Sequence, residues 1–123
     1  MLLSRMLIIS VLLAVVCTWV CSGVALAQQL NWNKGTGDWN DPNNWNGDAD
    51  PNVHAVPTFS DIAIIGPTVS TPLGTGPAIV NTAGAQALRV EVQDGGELFL
   101  TTGGDLTTID ELFMRTGAGT VTV

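Results

Sequence analysis

The sequence predicts an all-β fold, namely the N-terminal coils of a parallel β-helix preceded by a signal-peptide helix. Three observations predict it: an apolar N-terminal segment, short apolar strands between glycine-rich turns, and an internal repeat of strand, turn and strand. A chain of 123 residues is too short for a multidomain enzyme. Its formal net charge of −7 argues against nucleic-acid binding, because the few basic residues could not neutralise a run of phosphates.

The first 27 residues have the three parts of a secretory signal peptide. Arg5 gives a positive N-terminal region, residues 6–20 form an apolar core, and the small residues Ala25 and Ala27 precede Gln28. We therefore expect cleavage between Ala27 and Gln28, a secreted or cell-surface location, and membrane contact only through this segment before cleavage. An uncleaved anchor helix is the alternative, although a Ser-Gly pair interrupts the apolar run.

Residues 28–57 are expected to form an entry or capping segment for the β-helix coils. Trp32, Trp39 and Trp45 are separated by Gly, Asn, Asp and Pro residues, which favour turns. This composition leaves no helix. We expect short strands and turns, with the three indoles packed together.

Residues 58–123 are predicted to form the coils of the solenoid. Their apolar runs are short, show no helical period and end at glycine-rich turns, as strands do. The predicted strands are 61–65, 78–80, 88–92, 97–101, 106–109, 112–115 and 120–123.

An internal repeat in this region predicts the winding. Residues 87–90 align with 111–114 at an offset of 24, and residues 95–100 align with 118–123 at an offset of 23. This length suits one coil of a parallel β-helix. A β-sandwich or barrel fragment is the alternative, because alternation is common to these folds. The side chains expected to point into the coil include Leu98, Leu100, Val121 and Val123.

The number of coils predicts that the solenoid is truncated at its C-terminus. Coils bury their apolar faces only against each other, so about three are needed for a stable core. The repeat fills barely two, and the last predicted strand ends at Val123. Further β-helix coils are therefore expected partners.

The three tryptophans have two interpretations. Flat indoles could stack on sugar rings, which would make surface glycans the partners. Alternatively, Trp32, Trp39 and Trp45 plug the N-terminal end of the coil, because a short chain can scarcely leave three large apolar side chains exposed.

No motif in the chain supports a catalytic assignment. Cys17 and Cys21 both lie in the signal segment, and His54 is the one histidine, so a zinc set cannot form. We therefore assign no catalytic residue and no cofactor. Ca²⁺ held by Asp48 and Asp50 is the alternative, since calcium prefers carboxylate oxygens, but solvated turn residues are the simpler interpretation.

The arrangement of these motifs resembles a known family. Trp32, Gly37-Asp38-Trp39 and Asn44-Trp45, followed by Asp61-Ile62-Ala63-Ile64 and glycine-punctuated strands, resemble the beginning of secreted bacterial parallel β-helix proteins. These are similar to autotransporter passengers and to proteins with autotransporter-associated β-strand repeats. The resemblance implies a structural or adhesive role at the cell surface, without catalysis. Two alternatives remain: a carbohydrate-contacting module using the Trp cluster, and the leading fragment of a polysaccharide-degrading β-helix enzyme.

Overall fold

The computed structural model describes residues 26–67, 74–115 and 119–123, which form an all-β fold as predicted. Most of the predicted signal segment, including Ala25, lies outside the described residues. Within the described ranges, the chain forms these elements in order: β1 Gln28–Trp32, β2 Gly37–Asp38, a 3₁₀ turn Pro42–Asn44, β3 Trp45–Gly47, β4 Asp61–Ile65, β5 Ala78–Val80, β6 Ala85–Ala87, β7 Arg89–Val92, β8 Glu97–Leu100, β9 Leu106–Thr108, β10 Leu112–Met114 and β11 Thr120–Thr122.

Three sheets form from strands that lie far apart in the sequence. The first sheet has the order β3-β1-β4-β7-β10, the second has the order β2-β5-β8-β11, and the third pairs β6 with β9. Every pair is parallel except β1 with β3. Because parallel strands need a crossover connection, the chain leaves each sheet and enters another before it returns.

One face of most of the strands supplies the core, because successive side chains point to opposite faces. Leu30, Ala63 and Val90 stand in register on β1, β4 and β7, and all three are fully buried. In the second sheet, Ala78 is in register with Leu98, and both are fully buried. The core cluster consists of Leu30, Trp32, Trp39, Trp45, Ala63, Ile65, Ala78, Val80, Ala85, Ala87, Val90, Val92 and Leu98.

The pairing register agrees with one of the two predicted alignments and corrects the other. Val121 pairs with Leu98, which is the predicted offset of 23. Leu112, however, pairs with Val90 at an offset of 22, so the alignment of Leu88 with Leu112 is wrong by two residues. A shift of two keeps every side chain on the same face, so the hydrophobic pattern cannot detect it. Leu88 instead lies at a corner, where its carbonyl oxygen accepts a hydrogen bond from Asp110 N over 2.8 Å.

The predicted strand positions are largely correct. The predicted strands 61–65 and 78–80 have the observed bounds of β4 and β5, and several later strands are shorter by one residue. The sequence does not predict β6, because its two buried side chains are alanines and carry little hydrophobic signal.

Paired glycines form the turns that follow β7 and β8. Gly103 has a φ of 86°, in the left-handed region that favours glycine. A Cβ built on Gly104 would overlap the carbonyl oxygen of Val80, which belongs to β5 in the neighbouring pass of the chain. Gly95-Gly96 repeats this arrangement one strand earlier. The first glycine therefore provides the turn, and the second allows close stacking.

The N-terminal segment contains one helical turn, so the prediction that residues 28–57 hold no helix is wrong for Pro42–Asn44. Asp41 caps this turn, since its Oδ1 accepts a hydrogen bond from Asn43 N over 2.9 Å, and Pro42 suits the first helical position. The turn lets β3 run antiparallel to β1 and form the first edge of the first sheet.

The last strands depart from the predicted inward pattern at one position. Val121 is half-buried and packs against the core, as does Leu100. Val123 follows the end of β11 and is 96% exposed, so the prediction that it points inward is wrong. Nothing in the described part of the chain stacks above this position, so its side chain gains no burial there.

Candidate functional site

A groove of about 340 Å³ on the outer face of the first sheet is the candidate site. Its position follows from strand alternation. Ile64 and Glu91 stand in register on β4 and β7, and each is flanked along its strand by buried core residues. The side chains that line the groove are Gln29, Ile62, Ile64, Arg89, Glu91, Gln93 and Arg115.

An ion pair lies at the centre of the groove. Arg89 Nη2 lies 2.6 Å from Glu91 Oε1, and Gln93 Nε2 donates to Glu91 Oε2 over 3.2 Å. These three residues are two apart along β7 and its extension, so they share one face. Both carboxylate oxygens of Glu91 are engaged, which holds the carboxylate and the guanidinium in one orientation.

One amide side chain of β1, that of Gln29, lines the groove. Gln29 Nε2 donates to Asn31 Oδ1 over 3.0 Å, and Asn31 Nδ2 donates to Asp48 Oδ1 over 3.4 Å. Asn31 is buried, so its amide is held by these contacts. The amide that lines this side of the site is therefore oriented by its hydrogen bond to Asn31.

The groove concentrates positive charge in an acidic chain. Residues 28–123 contain three basic residues, Lys34, Arg89 and Arg115, against eleven acidic ones, and two of the three line this groove. Arg89 is partly neutralised by Glu91, whereas Arg115 is exposed. Guanidinium and amide groups beside two isoleucines suit a ligand that carries both hydroxyl or carboxylate oxygens and an apolar face.

The Trp cluster, which consists of Trp32, Trp39 and Trp45, lies in the core near β1 and β3, at one edge of the first sheet. The ring centroids of Trp32 and Trp45 are 5.0 Å apart, and those of Trp39 and Trp45 are 4.8 Å apart, both with edge-to-face geometry. Trp45 Nε1 donates to Trp39 O over 2.8 Å, and Trp32 Nε1 donates to Gly35 O over 3.0 Å. The indoles are packed together as expected.

Burial of the Trp cluster weighs against the carbohydrate-contact alternative. Trp32, Trp39 and Trp45 each have 0% exposure, so none offers a ring face to a sugar in this structure. A pyranose needs an accessible indole face. Because the indoles cover the N-terminal end of the core, they act as hydrophobic packing.

One carboxylate oxygen of each aspartate of the calcium alternative accepts hydrogen bonds within the chain. Asp50 Oδ1 accepts hydrogen bonds from Asn52 N and Nδ2 over 2.9 and 3.0 Å, which forms an Asx turn. Asp48 Oδ1 accepts the hydrogen bond from Asn31. Within the described ranges, no group of three or more His, Cys, Asp or Glu side chains could hold a metal ion.

Two residues of the predicted cleavage site, Ala27 and Gln28, lie at the start of the part of the chain that the structure describes. Ala27 is exposed and precedes β1, whose first residue is Gln28. Ala25 lies outside the described residues. In the part of the chain that the structure describes, no helix is long and apolar enough to span a membrane.

Comparison of the chain with protein-family models, with curated proteins and with solved structures gives no match.

Sequence reasoning did not assign the groove residues to a site. A signal was present in β7, because Arg89, Glu91 and Gln93 alternate with apolar residues and must share the outer face. Arg115 could be assigned to the same face of the groove only from the register of β10 with β7. The sequence alignment misplaced this register by two residues.

Proposed function

We propose that the chain is an exported structural or adhesive protein of the cell surface or extracellular space, built as the first coils of a parallel β-helix. The role needs no catalytic step. One observation carries the proposal: strands three positions apart in the chain pair in parallel, β4 with β7, β5 with β8 and β6 with β9. A chain that winds around one axis produces this pattern, because each turn adds one strand to each sheet.

The length of the last winding supports the same interpretation. Leu106 is paired with Ala85 at an offset of 21, Leu112 with Val90 at 22, and Val121 with Leu98 at 23. These offsets are close to the repeat of 23 to 24 predicted from the sequence. A sandwich or barrel of antiparallel hairpins would instead pair strands that are adjacent in the chain, so the parallel offsets favour winding.

A winding architecture suits a structural role for a physical reason. Each turn contacts only the turns above and below it, so the chain builds a rod with free outer faces. The buried Trp cluster supports a cap at the N-terminal end, because it covers the core beside β1 and β3. Further coils would then stack only on the end of the β-helix opposite this cap.

A duplicated winding tests the β-helix proposal. We would insert a second copy of residues 90–111 after Glu111 in the full chain, since this length equals the offset between β7 and β10. The insert should add one coil and raise the midpoint of urea unfolding, because each stacked coil adds interface. Insertion of residues 90–100 alone, half a winding, is the control and should lower the midpoint, because it places later strands on the wrong sheets. Equal loss of stability with both insertions would overturn the winding.

Signal-peptide cleavage tests the export part of the proposal. Produced in a bacterial host, the exported protein should begin at Gln28, which intact-mass measurement detects. Ala27→Leu should block processing, because a large side chain does not fit next to the scissile bond, whereas Ala27→Ser should not. Export with residues 1–27 retained would contradict the proposal.

The groove is the face that we assign to adhesive contacts with surface glycans, because two of the three basic residues in 28–123 line it. A carboxylate-bearing glycan such as polygalacturonate should bind more tightly than neutral dextran, with binding that weakens as salt is added. Arg115→Gln should weaken this binding, whereas Lys34→Gln, which removes an exposed charge outside the groove, should not. Equal binding of both glycans would argue against this face.

A further inference from the structure

The groove on the first sheet runs across the strands. Its lining side chains come from β1, β4, β7 and the residues that follow β7 and β10, with Gln29 on one side and Arg115 on the other. Neighbouring strands lie about 4.8 Å apart, so Arg115 is about 10 Å from the two isoleucines of β4, which lies two strands away. This distance exceeds one sugar ring. An extended glycan therefore contacts Arg115 and the isoleucines with different sugars.

The guanidinium of Arg89 is engaged within the protein. Its Nη2 lies 2.6 Å from Glu91 Oε1, and its Nε is buried with no hydrogen-bond partner among the described residues. Glu91 is 8% exposed, and Gln93 Nε2 donates to its second carboxylate oxygen. The carboxylate of Glu91 is therefore fixed on Arg89. A ligand carboxylate would have to displace Glu91 before it could bind this guanidinium.

Arg115 has different surroundings from Arg89. The register of β10 with β7 places Arg115 beside Gln93, whose amide is neutral. The same register places Glu111 beside Arg89, on the outer face that alternation assigns to both. Arg89 thus lies between two carboxylates, those of Glu91 and Glu111. Arg115 is exposed, so its guanidinium is the one in the groove that can bind an anion directly.

The part of the groove over β4 is apolar. Ile62 and Ile64 line it, and Ile64 is in register with Glu91 on β7. A ligand carboxylate placed here would lose water against apolar side chains and would lie next to the like charge of Glu91, and both effects are unfavourable. A neutral sugar that turns the C–H groups of its ring toward the isoleucines suits this position.

We infer that Glu91 is a positioning residue that keeps Arg89 from the ligand, so that the groove has one anion subsite at Arg115 and a neutral subsite over Ile62 and Ile64. The inference rests on the glycan-binding groove of the proposed function and specifies its ligand. The ligand class is a linear glycan in which a carboxylate-bearing sugar alternates with a neutral sugar. A glycan with a carboxylate on every sugar places one of them in the neutral subsite.

The preference between two acidic glycans tests the two subsites. Oligosaccharides of hyaluronate carry a carboxylate on every second sugar, whereas those of polygalacturonate carry one on every sugar. Titration calorimetry on the full chain, with the same number of sugars in each ligand, should show tighter binding of hyaluronate by at least about threefold. Equal affinities, or a preference for polygalacturonate, would overturn the inference and leave the binding of acidic glycans in place.

Glu91→Gln tests the role of Glu91. The substitution keeps the size of the side chain and removes the charge that holds Arg89, so the ratio of the two affinities should shift toward polygalacturonate by at least about threefold. Addition of Arg89→Gln to this variant removes the released cation and should reverse most of the shift. Glu97→Gln is the matched control, because it removes one carboxylate from β8, outside the groove, and should leave the ratio unchanged. Loss of folded protein lowers both affinities equally, so it does not change the ratio.

The outcomes separate this inference from the proposed function. A ratio that Glu91→Gln leaves unchanged, or a double variant that keeps the full shift, would overturn the role of Glu91 although the chain binds acidic glycans. If neither the parent chain nor Glu91→Gln binds either acidic glycan more tightly than dextran, the glycan-binding groove of the proposed function is refuted together with this inference.

Discussion

Replacement of Trp45 or of Trp39 by Phe removes one indole N–H group. Among the described residues, only the N–H group of Trp45 donates a hydrogen bond, so only Trp45→Phe breaks one. Trp45 and Trp39 are both fully buried. Trp45 Nε1 donates to Trp39 O over 2.8 Å, whereas Trp39 Nε1 is buried with no partner among the described residues. Comparison of the two Phe variants therefore separates the contribution of the hydrogen bond to the unfolding free energy from the contribution of burial.

The difference in unfolding free energy can be worked out from these contacts. Trp45→Phe leaves the carbonyl of Trp39 without its partner, at a cost of about 1–3 kcal/mol. Trp39→Phe removes a buried N–H that already lacks a partner, so it carries no such cost. The loss of ring contacts also destabilises Trp45→Phe more than Trp39→Phe, because Trp45 contacts both other indoles and Trp39 contacts one. We expect Trp45→Phe to be the less stable variant by about 1–3 kcal/mol.

Urea unfolding followed by far-UV circular dichroism measures this difference without using the fluorophores that are removed. Trp32→Phe serves as a third variant, because its indole also donates a hydrogen bond, to Gly35 O over 3.0 Å. It should resemble Trp45→Phe rather than Trp39→Phe. If Trp39→Phe is as destabilising as Trp45→Phe, the account of the cluster as a hydrogen-bonded plug is refuted.

Two further comparisons address the stacking of the chain. Gly104→Ala should destabilise the fold and lower the thermal midpoint, because its Cβ would overlap the carbonyl of Val80, whereas Gly35→Ala meets no atom and should change the midpoint little. Leu98→Ala should cost about 2–5 kcal/mol in urea unfolding, because Leu98 is fully buried. Leu112→Ala should cost less, because Leu112 is 44% exposed and therefore loses less buried area. Equal losses in either comparison would contradict the observed stacking.

Much of the local structure could be predicted from the sequence. The predicted strands 61–65 and 78–80 have their observed bounds, because alternating apolar residues between Gly and Pro specify a half-buried strand locally. The same reasoning predicts packed indoles between residues 28 and 57, since three large apolar side chains must find cover.

The candidate site depended on information that is not local. Arg89, Glu91 and Gln93 could be placed on one face from their spacing alone, but Arg115 joins them only through the pairing of β10 with β7. The alignment of Leu88 with Leu112 misplaces that pairing by two residues. Both registers put the same side chains inside, so hydrophobicity could not choose between them.

The sequence by itself determined most of the strands, which face of those strands is apolar, and where glycine permits a turn. These properties depend on neighbours along the chain, so a single sequence contains them. Only the tertiary structure decided how many residues each corner takes up, and therefore which strands lie in register. Corner length depends on contacts such as the hydrogen bond from Asp110 to Leu88, which join residues that the chain brings together only after it has returned to the same sheet.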